Sequence, residues 1–160
     1  MKTGRTLLAR GACCLLVAIL GGLLGATTTA LANSSVAIPI SGTVDGSPES
    51  VAVSGLAHVT SSLVKRDRKF NHPPRVVLDF DLRNVSGTGL STGERYSGRS
   101  RDEVIRELVA SDVVEITFPL VPKGKGFTAA RAGIASFTLT FNPDTGALTG
   151  GTATVGTPGS

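Results

Sequence analysis

The stretch Arg75-Val-Val-Leu-Asp-Phe-Asp-Leu-Arg83 decides how this chain is read. Val76, Leu78, Phe80 and Leu82 alternate with Val77, Asp79, Asp81 and Arg83. A period of two over eight residues places one face in a core and the other in water. Half-solvated strands of this kind belong to antiparallel sheets rather than to βαβ units.

Similar runs lie on both sides. Val36, Ile38 and Ile40 alternate with Ala37, Pro39 and Ser41, and the missing N–H of Pro39 argues for an edge strand. From Val51 the odd positions Val53, Gly55, Ala57 and Val59 continue one face, and Gly55 marks a bulge or a close backbone approach. Downstream, Val114, Ile116, Phe118 and Leu120 form another face, closed by Pro119 and Pro122. Phe137, Leu139 and Phe141 alternate with Ser136, Thr138 and Thr140. The turn Asn142-Pro-Asp-Thr-Gly146 then returns the chain through a Thr-rich strand, 147–155.

Between these runs, 86–99 reads as a long Gly-rich loop and Gly87-Thr-Gly89 and Gly124-Lys-Gly126 as turns. Ser100 with Glu103 resembles a helix capping box, and Val104, Ile105, Leu108 and Val109 fall on one helical stripe. This predicts one short helix near 100–111. The expectation is an all-β domain of about seven strands plus that helix, arranged as an antiparallel two-layer β-sandwich. A small closed β-barrel is the alternative.

The first 32 residues differ in kind. Lys2, Arg5 and Arg10 precede an apolar run, Cys13 to Ala26, and the segment ends in Ala30-Leu31-Ala32. That order is the pattern of a secretory signal peptide, with cleavage after Ala32. The expectation is export by the general secretory route to the periplasm or the outside. Residues 33–160 then make a single domain with a frayed tail at 156–160. The whole chain has 16 Lys and Arg against 12 Asp and Glu. Three of the basic residues lie in the leader, so 13 oppose 12 in the remainder. A generic nucleic-acid binder loses its main support. Both cysteines also leave with the leader, and with them any disulfide or thiolate metal site.

No catalytic signature stands out, and no cofactor is expected. Three sets of basic residues lie in connections: Lys65, Arg66, Arg68, Lys69 and Arg75; Arg95, Arg99 and Arg101; and Lys123, Lys125 and Arg131. Two sets converging at one end would form an anion-attracting rim, with aromatic contacts from Phe70 and Tyr96. The partners this suggests are anionic envelope lipids or polymers, or another protein. A metal-dependent envelope enzyme using His58, His72, Asp79 and Asp81 is a weaker reading. The spacing of the histidines fits no metal motif, and the two aspartates read as a solvated face paired with Arg83 or a neighbouring strand. A barrel holding an apolar ligand is the remaining alternative. Asn33-Ser-Ser35 and Asn84-Val-Ser86 match the N-glycosylation pattern and carry no argument alone.

Overall fold

The computed structural model describes residues 33–64, 73–125 and 129–159. The leader reading, Lys65, Arg66, Arg68, Lys69, Phe70 and His72 lie outside the described residues. Nine strands form one mixed sheet: β1 (Ser34–Val44), β2 (Val51–Leu63), β3 (Arg75–Asp81), β4 (Val85–Gly89), β5 (Arg95–Gly98), β6 (Arg101–Glu107), β7 (Ser111–Pro122), β8 (Arg131–Phe141) and β9 (Leu148–Gly156). The fold is all-β, a ring of strands consistent with a sandwich or a barrel-like arrangement.

The path explains the ring. β3 and β4 are one run interrupted at 82–84: β3 pairs with the C-terminal half of β2 and β4 with its N-terminal half. β5 and β6 are a second interrupted run, pairing with β4 and β3 respectively. Counted this way the chain makes seven long runs, each antiparallel to the one before it. Seven alternating runs leave the first and last pointing the same way. The closing ladder must therefore be parallel, and β1 meets β9 in parallel at Ile40–Gly42 with Ala153–Val155. This corrects the expectation of a purely antiparallel sheet. It also corrects the edge position of β1, which is paired on both sides. The parallel ladder starts at Ile40, immediately after the proline.

Alternation fixes which face is buried. Val76, Leu78, Phe80 and Leu82 are fully buried, with Val51, Val53, Ala57 and Val59 beside them and Phe137 and Leu139 opposite. The rings of Phe80 and Phe137 meet at 4.9 Å between centroids, so the middle of the ring is filled by aromatic side chains. Burying each such side chain contributes about 1.5–3 kcal/mol. The turn after β8 forms as its residues dictate. Asn142 Oδ1 accepts the N–H groups of Asp144 and Thr145, and Gly146 takes φ +70°.

Two segments differ from the sequence reading. The predicted helix near 100–111 is absent: 101–107 is the strand β6, laddered along its length to β3. Non-local hydrogen bonds to an otherwise unpaired β3 edge outweigh the weak helix preference of ten residues. Ser100 donates its hydroxyl to Asp102 rather than capping a helix. The expected loop at 86–99 is largely β4 and β5, and Gly87 and Gly89 are buried strand residues rather than turn residues.

Those glycines face inward because there is no room for more. A Cβ on Gly87 would lie 2.6 Å from Val51, and one on Gly89 2.2 Å from the Glu49 carboxylate. Gly133 on β8 is packed against Phe118 and Val44 in the same way. Gly55 is the close approach its position suggests, lying under the Asn84 carbonyl. At the closing ladder a Cβ on Gly42 would sit 2.0 Å from the Val155 carbonyl oxygen. That neighbour is backbone, so only a strand shift relieves the clash. Gly42→Ala is therefore expected to cost about 1–3 kcal/mol of stability. Urea unfolding measures this; a variant as stable as the parent contradicts the tight β1–β9 closure.

Candidate functional site

The outer side of β5 and its junction with β6 gathers basic residues; further along β6 the same face carries Glu103 and Glu107. Alternation sends Tyr96 and Gly98 inward and leaves Arg95, Ser97, Arg99 and Arg101 toward the outside. Lys123 joins at one end, where its N–H donates to the Arg95 carbonyl at 2.7 Å. Arg83, from the break between β3 and β4, joins at the other. Arg83, Ser97, Arg99, Ser100 and Arg101 line one depression of about 520 Å³. Two of the basic sets thus meet along one run.

Of the set Lys65, Arg66, Arg68, Lys69 and Arg75 only Arg75 is among the described residues, and it lies apart from them. Arg75 opens β3 opposite Glu107, while Arg101 stands opposite Asp81 at the other end of the same ladder. Six residues of strand separate the two positions, about 20 Å. Arg75 instead borders a groove of about 560 Å³ with Ile105, Arg106, Glu107, Val109 and Asp112.

Ion pairs set the local electrostatics. Arg83 binds the Asp81 carboxylate through Nε and Nη2, and Arg101 binds Asp79 through the same two nitrogens. The guanidinium bonds of Arg83, with its backbone N–H, hold the Asp81 carboxyl down at about 2. Both aspartates are thereby engaged as acceptors on the outer face, the arrangement read from their alternation. Lys125 pairs with Glu94 at 2.7 Å, which raises the Lys125 pKa. Arg106 pairs with Asp112 across the β6–β7 connection and lowers its pKa.

The weaker metal reading gains no geometry. His58 is exposed on β2, opposite Ala37 and Asp81, and His72 lies outside the described residues. Among the described residues no group of three His, Cys, Asp or Glu side chains is placed to hold a metal ion. No helix among them is long and apolar enough to cross a membrane.

Tyr96, expected as an aromatic contact of the rim, and Arg131, expected there with Lys123 and Lys125, are instead drawn toward the interior. Tyr96 is buried on the inner face of β5, and burial raises its pKa. The Arg131 guanidinium lies over its ring at 5.8 Å and donates to the Glu49 carbonyl. Glu49, just before β2, is the buried acid that sequence reasoning missed. One carboxylate oxygen accepts the N–H groups of Ser91 and Thr92 at 2.9 Å, and the other accepts the Thr92 hydroxyl at 2.7 Å. The Thr92 hydroxyl bond leads in lowering the Glu49 pKa. Glu49 thus latches the turn before β2 to the turn between β4 and β5. Its only sequence signal is a lone acid beside Pro48, with nothing local to name Thr92 as partner.

No family model, curated protein or solved structure matches this chain, so the geometry carries the functional reading by itself.

The Asp81 pair yields a pH prediction. A carboxyl whose folded pKa lies below its unfolded value of 3.8 stabilises the fold above about pH 4. That contribution is lost as pH falls toward 2. The stability difference between the parent and Asp81→Asn should therefore shrink between pH 5 and pH 2. Urea midpoints at the two pH values measure it; a difference independent of pH contradicts the assigned pair.

Proposed function

We propose that this chain is an exported, non-enzymatic β-domain that binds an anionic polymer of the cell envelope along β5 and its junction with β6. The observation that carries the reading is the outer stripe of Lys123, Arg95, Arg99, Arg101 and Arg83, concave at the corner that Ser97 and Ser100 also line. Export rests on the leader pattern of residues 1–32.

The chemistry follows from the donors. Guanidinium groups bind phosphate and carboxylate through planar pairs of N–H groups. Asp81 and Asp79 engage Nε and Nη2 of Arg83 and Arg101, which orients both arginines and tempers their charge. The resulting surface suits a spaced, linear polyanion, met by several moderate contacts, better than one deeply held ion. Rigid sandwich-like scaffolds commonly present binding groups on the connections between strands.

Because the contacts are exposed, each is worth up to about 1 kcal/mol and weakens with salt. Arg95→Ala with Arg99→Ala should weaken heparin binding at low salt by about threefold to tenfold. Calorimetric titration of heparin, repeated at high salt, tests this. Binding insensitive to both salt and the substitutions overturns the reading. Binding only to anionic vesicles moves the partner from a polymer to a lipid surface and overturns the polymer assignment.

A further inference from the structure

We propose that β6 is a dimerisation edge, at which two copies of this chain pair their Arg101–Glu107 segments antiparallel about a two-fold axis through Val104.

Backbone direction shows what the edge offers. Leu82 N–H donates to the Ser100 carbonyl and Leu108 N–H to the Pro74 carbonyl, both on the β3 side. A strand turns the groups of alternate residues to alternate sides. The even residues from Ser100 to Leu108 therefore face β3. Arg101, Glu103, Ile105 and Glu107 turn their N–H and C=O groups the other way. Among the described residues that second side has no ladder: β6 pairs with β3 alone, and β7, next in the chain, pairs with β8 and β5.

The sequence Arg-Asp-Glu-Val-Ile-Arg-Glu is complementary to itself when reversed. With the axis at Val104, Arg101 stands opposite Glu107 of the second copy and Asp102 opposite its Arg106. Glu103 stands opposite Ile105, and Val104 meets Val104. All seven residues pair, and each oppositely charged pair occurs twice by symmetry. The outward backbone groups match too, because Arg101 with Glu107 and Glu103 with Ile105 are the hydrogen-bonded positions of this register. The neighbouring registers that keep those groups aligned set Glu103 against Glu103, or Glu103 against Glu107. Like charges directly opposite are destabilising. One register is thus selected by charge and by hydrogen bonding together.

The surroundings fit an occupied edge. Ile105 and Val109 are 60% and 44% exposed and line one groove beside β6. Charged side chains ordinarily keep an edge from pairing; on β6 the charges of Arg101, Asp102, Glu103, Arg106 and Glu107 are of both signs and match in this register, and the β3 ladder is unbroken. Arg101 is held by Asp79 on β3 and Arg106 by Asp112 on β7, so both side chains are ordered before a second copy docks.

The test is sedimentation equilibrium on the folded product of the full chain. The parent should be a dimer, and Glu107→Arg should weaken it at least about tenfold by setting Arg against Arg101 twice. Arg101→Glu should do the same by setting Glu against Glu107. Mixing the two variants should restore a heterodimer, because both end pairs become Arg with Glu again. Ile105→Pro removes an outward N–H without touching the β3 ladder and should also give monomers. A parent that stays monomeric up to about 1 mM overturns the proposal. So do variants that remain dimeric, and so does a mixture that stays monomeric.

Discussion

Seven strand runs laid side by side, each reversing the last, can close into a ring only if the first and seventh run in parallel. The β1–β9 ladder meets that requirement with three residue pairs, at Ile40–Gly42. It is one of three ladders in the ring with only three pairs, the others being β4–β5 and β5–β7. Parallel pairing is slightly weaker per residue than antiparallel, so closure depends on close approach. Gly42 provides it by leaving no atom between its own Cα and the Val155 carbonyl.

From that closure the two regions of the molecule follow. Around β4 and β5 the interior is crowded, and Gly87, Gly89 and Gly133 give way to Val51, Glu49 and Phe118. Glu49, Tyr96 and Arg131 cover that region with a buried polar cluster. On the side of β6 the sheet stops instead of closing. The interruption at 99–100 that lets one run serve both regions also brings Arg83, Arg99 and Arg101 to a single corner. The basic stripe and the open edge are therefore consequences of one broken run, not separate additions to a scaffold.

What was legible in the sequence was what local chemistry determines. The alternation at 75–83 and 135–141 and the Asn142–Gly146 turn needed no distant partner to be read. The segment 101–107 was opaque because Val104, Ile105, Leu108 and Val109 suit a helical stripe, and the competing β3 ladder lies more than twenty residues away. Gly87 and Gly89 read as turn residues because their real cause, Val51 and Glu49 on the far side of the interior, leaves no local trace. For the site, Arg95, Arg99 and Arg101 were visible as a basic set, but their shared face depended on β5 being a strand. Arg83 read as the partner of an aspartate, which it is, and its place in the corner came only from the break after β3. Tyr96 and Arg131 looked like rim residues because charge and aromaticity carry no sign of inward direction.

The parallel closure is the claim on which the rest stands, and a cross-link tests it most directly. Ser41 and Thr154 are register partners in the β1–β9 ladder and both are exposed. Introduce Ser41→Cys and Thr154→Cys, with Cys13 and Cys14 replaced by serine, and follow disulfide formation under mild oxidation. The ring predicts rapid, near-complete formation of the 41–154 bond within each folded chain. A folded protein in which that pair stays reduced would contradict the parallel closure.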